Sequence, residues 1–343
     1  MNRKVAIEDA VGLPLAHDVT EIRPGEFKGA RFRKGHVVRR EDLDHFRRIG
    51  KAHLFVLDIG EDELHEDDAV RIMVDALCGP NVGPQGEPAE GRVNLVALTD
   101  GLLKVEVGPL LSFNMLGEVM CATRHTNTVV RKGQRVAGTR AIPLVIERGI
   151  VQRAADIAAA AGGIISIKEL KSRKVGVIVT GTEIFSGLVE DRFEGVIRRK
   201  VEALGSRVIA ADLVPDDTER IADAIRRLLD EGAELIVATG GMSVDPDDVT
   251  RAAIVGAGGS RVLYGSAVLP GAMLLLSSIG PVPVVGVPAC AIYEKTTVFD
   301  LVLPRLLAGE TPDRADIAAL GHGGLCLACR QCRFPDCAFG KGG

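Results

Sequence analysis

The chain has 343 residues, 46% of them hydrophobic and 26% charged, a globular balance with length for two or three domains. Lys plus Arg number 42 and Asp plus Glu 46, a formal net charge of −4, so electrostatics give no case for duplex DNA or an anionic membrane as main partner. Trp is absent, with two Tyr and ten Phe, which argues against a stacking surface for single-stranded nucleic acid. Glu8 and Asp9 stand where a signal peptide needs an apolar stretch, so the expected location is cytoplasmic.

In chain order, Glu41–Ile49 reads as a helix and His53–Asp58 as a strand. Asp67–Cys78 reads as a helix with Ala69, Ile72, Met73 and Leu77 on one side. Residues 79–91 hold seven Gly or Pro in 13 positions, a linker or exposed loop. Val93–Leu98 and Leu102–Val107 then flank Thr99-Asp100-Gly101, which predicts a hairpin because Asp-Gly suits positive φ. Gln152–Ala161 is an Ala-rich helix stopped by Gly162-Gly163. These breaks separate an α+β region at 1–78 from a β-rich region at 92–171. An α/β domain follows at 172–309, and a Cys-rich module at 321–343.

From residue 172 the pattern becomes regular. Val175–Thr180, Arg207–Val214, Glu234–Thr239 and Val282–Val287 are apolar strands, and the helices Asp191–Leu204 and Thr218–Asp230 alternate with them. Asp216 with Glu219 resembles a capping box, and another helix begins near Ala289. The 32 residues from Val262 to Tyr293 carry no charge, but four Gly and four Pro break them into buried strands rather than a membrane span. Such alternation predicts a mostly parallel sheet with helices on both faces and ligands at the carboxyl ends of its strands.

Two of those ends are chemically alike. Thr180-Gly181-Thr182-Glu183, with Ser186-Gly187 just beyond, and Thr239-Gly240-Gly241-Met242-Ser243-Val244 combine close backbone approach with hydroxyls for phosphate or other polar oxygens. Asp245, Asp247 and Asp248 follow, and hard carboxylates of this kind suit a Mg²⁺ that bridges phosphates. Asp191, Asp247 and Asp248 read equally as helix N-caps.

Residues 174–309 resemble the molybdopterin-binding domain of molybdenum-cofactor biosynthesis proteins, particularly the molybdopterin molybdotransferase (gephyrin E-domain) family. The matching stretches are VIVTGTEI at 177–184, GLVEDRFEG at 187–195, VPDD at 214–217 and ATGGMSVDPDDVT at 238–250, with PGA at 270–272 and GVP at 286–288. Residues 126–167, with Arg131-Lys132-Gly133, resemble the stretch leading into that domain. The resemblance implies insertion of molybdate into adenylylated molybdopterin, with Mg²⁺ on the phosphates and Glu183 and Asp248 catalytic. It implies a pterin site at Thr180, Gly181, Thr182, Ser186, Gly187, Asp191, Asp217, Thr239, Gly240, Gly241, Ser243, Asp245 and Pro288. The family's PGNP loop reads Pro288-Ala289-Cys290-Ala291 here, and Ala272 replaces its Lys after the PG pair. Those departures leave two alternatives open, a non-catalytic carrier or sensor delivering the cofactor to a molybdoenzyme, and a nucleotide pyrophosphatase. A homo-oligomeric state is compatible with each.

Four of the seven Cys lie in the last 18 residues, as Cys326, Cys329, Cys332 and Cys337. Their C-x₂-C-x₂-C-x₄-C spacing points to a zinc ion or an iron–sulfur cluster, because neighbouring thiolates repel unless a cation neutralises them. The His residues show no metal-ligand spacing, His322, four residues before Cys326, being the exception.

Overall fold

The computed structural model describes residues 2–23, 26–57, 59–242 and 249–342. It divides into two compact units, one built from 1–98, 105–124 and 133–166, the other from 99–104, 125–132 and 167–343. The regions expected at 1–78 and 92–171 both contribute to the first unit. No described helix is long and apolar enough to cross a membrane.

In the first unit, strand Asn2–Ala6 pairs with His53–Leu57, and Val19–Arg23 pairs with Phe27–Phe32. Ile7, Leu15, Phe46 and Val56 fill the core between them. The helix expected at 41–49 is a 3-10 turn at Arg40–Asp42 followed by helix Leu43–Arg48. Further on, a four-stranded antiparallel sheet runs in the order Val82–Pro84, Arg92–Ala97, Arg135–Ala141, Val119–Thr123. Helix Glu66–Leu77 packs on this sheet and on helix Arg148–Ala160.

The expected hairpin around Asp100-Gly101 does not form. Arg92–Ala97 has neighbours on both edges, while Gly101–Val105 pairs with Thr128–Val130 in a different sheet. The Asp100 carboxylate accepts bonds from the Lys132 amide at 2.7 Å and the Arg131 guanidinium at 2.9 Å. Asp-Gly supplied the right turn chemistry, and tertiary hydrogen bonds used it elsewhere. The loop 79–91 likewise contributes a short strand, Val82–Pro84.

The second unit is built on a six-stranded sheet. Its elements are β1 (Lys174–Thr180), α1 (Thr182–Phe185), α2 (Phe193–Glu202), β2 (Arg207–Val214), α3 (Thr218–Asp230), β3 (Leu235–Thr239), α4 (Thr250–Gly256), β4 (Ser260–Tyr264), β5 (Leu275–Ile279), β6 (Val282–Val287), α5 (Val298–Leu307) and α6 (Arg314–Ala319). The strand order is β2-β1-β3-β6-β5-β4. The first four strands are parallel, and β5 and β4 extend the sheet antiparallel at one edge. The uncharged run from Val262 thus supplies strands joined by turns, of which β5 and β6 are largely buried while the edge strand β4 is mostly exposed.

Alternation along the strands builds two cores. Val175, Val177 and Val179 of β1, with Leu235, Val237, Val285 and Val287, meet Phe193, Ile197 and Val201 of α2 and the buried face of α5. Ile178, Ile236, Ala238 and Val284 point the other way, onto Ile221, Ile225 and Leu228 of α3 and Ile254 of α4. The central strands β1, β3 and β6 are therefore apolar on both faces, which is why each reads as a continuous hydrophobic run. The helix expected near Ala289 is a single 3-10 turn, Ala289–Ile292, and the long helix starts only after Thr297. There the Thr297 hydroxyl accepts from the Phe299 amide, and Asp300 accepts from the Thr297 amide at 2.7 Å.

Candidate functional site

β1 is followed by β2 on one side and, after α3, by β3 on the other. The chain therefore reverses direction across the sheet between β1 and β3, where open α/β sheets leave a crevice beyond the strand ends. A cavity of about 1010 Å³ occupies this place, walled by Thr180–Ile184, Gly240–Gly241, Arg192, Asp216 and Tyr293 among others.

Its floor is held by buried hydroxyls. The Thr180 hydroxyl donates to the Thr239 carbonyl at 3.1 Å and lies 3.2 Å from the Thr250 hydroxyl. Thr180, Thr239 and Thr250 are all buried, so these bonds join β1, β3 and α4 in a medium where unmade ones are costly. Gly240 and Gly241 have φ of 84° and 56°, and a Cβ on Gly240 would sit 2.5 Å from the Thr180 carbonyl oxygen. Only glycine lets β3 turn this tightly over the end of β1.

The rim is set by Asp216. Its carboxylate accepts from the Thr182 amide at 2.8 Å and the Thr182 hydroxyl at 3.2 Å, tying α1 to the loop after β2. Asp216 is thus a wall residue rather than the cap of α3. That cap is Asp217, whose carboxylate accepts from the Arg220 amide at 2.9 Å. Asp191 is likewise a cap, accepting from the Phe193 amide at 2.7 Å at the start of α2.

Of the residues expected to form the site, Thr180, Gly181, Thr182, Glu183, Gly240 and Gly241 meet at the cavity. Ser186 is exposed at the end of α1, where its amide donates to the Thr182 carbonyl, and Gly187 follows with φ of 72°. Asp191 and Asp217 cap helices, Thr239 is inside the floor, and Pro288 is buried ahead of the 3-10 turn. Ser243, Asp245, Asp247 and Asp248 lie outside the described residues. The sequence pattern did not single out Arg192, Tyr293 or Asp216 as walls. Arg192 and Tyr293 sit outside any Gly-rich turn, and Asp216 looked like a cap.

Hard oxygen donors stand at the mouth, the exposed carboxylates of Glu183 and Glu190, of the kind that suits Mg²⁺. Among the described residues, no group of three His, Cys, Asp or Glu side chains is arranged to hold a metal ion. The four tail thiols are not gathered. Cys326 and Cys337 pack against the core of the second unit, whereas Cys329 and Cys332 are exposed. A hydrogen bond with the Thr296 hydroxyl and one from the Phe334 backbone hold the Cys332 thiol below its ordinary pKa. Burial pushes the Cys290 thiol, beside the cavity, upward.

Residues 176–308 match the family model described as the probable molybdopterin binding domain, and residues 4–58 match a domain family of unknown function. Over 280 residues the chain is 25% identical to a molybdopterin molybdenumtransferase of Haemophilus influenzae, covering 79% of this chain and 63% of that protein. A CinA-like protein of Thermotoga neapolitana is 35% identical over 91 residues, covering 26% of this chain and 22% of the relative. The chain thus spans between about a fifth and two thirds of the length of these relatives. Among solved structures, the molybdopterin biosynthesis moea protein of Pyrococcus horikosii aligns with TM-score 0.34 and 17% identity, covering 72% of this chain and 79% of that one.

Proposed function

We propose that the cavity beyond β1 and β3 binds molybdopterin or its adenylylated form, and that the protein inserts molybdate into that ligand with release of AMP. The observation that carries this reading is the coincidence of the cavity with the matched domain. Its polar walls, Thr180–Glu183 and Gly240–Gly241, come from strand ends within 176–308. The partial likeness to a molybdenumtransferase supports the transfer step.

The residues divide the work. Gly240 and Gly241 let the ligand approach the backbone, and Asp216 holds the Thr182 loop in place for it. Arg192 supplies a fixed positive charge for phosphate. Mg²⁺ commonly uses one or two carboxylates plus its ligand's own phosphate oxygens, and Glu183 fits as such a donor. The ion would neutralise phosphate charge there. The proposed location is the cytoplasm.

A delivery role without transfer is favoured by one observation. The wall after β6 is Ala289, Ile292 and Tyr293, with no charged side chain. One measurement separates the readings. Purified protein is mixed with adenylylated molybdopterin, with and without molybdate, and AMP is followed by chromatography. Molybdate-dependent AMP release, slowed roughly 10²-fold or more by Glu183→Gln, supports transfer. Saturable binding without release supports delivery, and release indifferent to molybdate marks a nucleotide pyrophosphatase. Absence of any binding removes the reading altogether.

A further inference from the structure

In the first unit, the four-stranded sheet buries one face under its helices and leaves the other open. Register sorts the residues. Arg92, Asn94, Gly138, Arg140, Met120 and Ala122 share the open side, with Arg140 opposite both Arg92 and Met120, and Gly138 opposite both Asn94 and Ala122. Their neighbours Val93, Leu95, Thr139, Ala141 and Cys121 are buried on the other side.

The open side forms a groove of about 460 Å³, within the usual range of small-ligand sites. Arg92 and Arg140 stand at one end of it and Arg135, beside Arg124, at the other. Gly138 and Ala122 keep the floor between them low. No described Asp or Glu lines the groove. Arg92, Arg135 and Arg140 make no ion pair with a described carboxylate, and the Arg92 guanidinium donates to the Asn94 side-chain oxygen at 3.3 Å.

This arrangement opposes the ordinary rules of a sheet. Like charges directly across an antiparallel pair are destabilising, yet Arg92 faces Arg140 in a chain whose net charge is negative. An anion between them relieves the repulsion. Guanidinium forks match the oxygens of phosphate in bidentate fashion. With no aromatic side chain in the groove, a stacked base has nothing to rest on.

We propose that this face binds a phosphate-bearing small molecule, held by Arg92, Arg140 and Arg135 over the Gly138–Ala122 floor. The site is separate from the strand-end cavity of the second unit and stands whether or not the molybdopterin reading does.

The test is titration of the full chain with pyrophosphate by calorimetry. Wild type, Arg92→Ala/Arg140→Ala and Arg92→Lys/Arg140→Lys are compared, with Gly241→Val reporting on the other cavity. Wild type should bind saturably. The double Ala variant should bind roughly tenfold more weakly or worse, the Lys variant should recover part of the loss, and Gly241→Val should retain this binding. Because the opposed charges are removed, the Ala variant should melt no lower than wild type, so lost binding cannot be ascribed to misfolding. Absence of saturable binding in wild type overturns the proposal, and so does binding indifferent to the double Ala change. Loss in Gly241→Val alone assigns the pyrophosphate to the second unit. Citrate binding as tightly as pyrophosphate overturns the assignment to phosphate.

Discussion

At Asp216 the carboxylate is committed to the Thr182 amide and hydroxyl, while one residue later the Asp217 carboxylate closes the first turn of α3. Either Asp satisfies a capping pattern in the sequence, and only the fold decides between them. Asp217 is extended, with φ −132° and ψ 121°, as an N-cap must be. Asp217→Ala should therefore lower stability by about 1 kcal/mol in denaturant melts and leave pterin affinity unchanged. Asp216→Ala should instead weaken ligand binding, because the Thr182 loop loses its tether. Equal effects of the two changes on affinity would contradict the division of labour.

Glycines separate in the same way. Gly187 has φ of 72° with open space where a Cβ would go, whereas Gly240 has φ of 84° with the Thr180 backbone 2.5 Å from that position. Gly187→Ala should cost about 1–2 kcal/mol from the left-handed conformation alone. Gly240→Ala should cost more and also displace the cavity floor, seen as a larger drop in melting temperature and lost pterin binding.

Elements with strong periodicity were legible from the residues. The strands β1, β2, β3 and β6 and the helices α2 and α3 follow from apolar runs and helical stripes, because the two cores of the second unit draw on both faces of the central strands β1, β3 and β6. Elements fixed by long-range partners were not. Gly101–Val105 reads as half of a hairpin, yet its partners are distant in sequence. The same strand brings Lys104 to Glu310 at 2.8 Å, where Lys168 at 2.9 Å and Arg305 at 2.7 Å also bind it.

Burial alone would raise the pKa of Glu310, but the hydrogen bonds from Lys104, Lys168 and Arg305 outweigh it and bring it to about 2 from 4.5. A carboxylate depressed in the folded state contributes its stability above the unfolded pKa, and that stability is lost as pH falls from about 4.5 towards 2. At about 1.4 kcal/mol per unit, the contribution is of the order of 3 kcal/mol. Glu310→Gln should remove most of it at pH 7 and flatten the acid limb of stability measured by urea melts below pH 4.5. A variant with an unchanged acid limb would show the cluster to be energetically idle.

Across the whole molecule, the Cys-rich tail shows where spacing and folding part company. The interval of the four thiols reads as a metal module, but the segment is also stitched into the second unit. Leu325 bridges Leu269, the Cys326 amide donates to the Leu269 carbonyl at 2.8 Å, and Phe339 is 4% exposed within the core. Phe339→Ala should cost roughly 3–5 kcal/mol, as for other buried aromatics, which a loosely tethered tail would not show. A four-thiolate centre would require Cys326 and Cys337 to leave that packing and join Cys329 and Cys332. In metal-free protein, maleimide should label Cys329 and Cys332 quickly, with Cys332 favoured by its lowered pKa, and Cys326 and Cys337 only slowly. Zinc, or iron and sulfide in protein purified without oxygen, should protect all four if the module binds metal. Rapid labelling of Cys326 and Cys337 in the metal-free fold would contradict the packing. Labelling of all four unchanged by metal would leave the thiols without a ligand role.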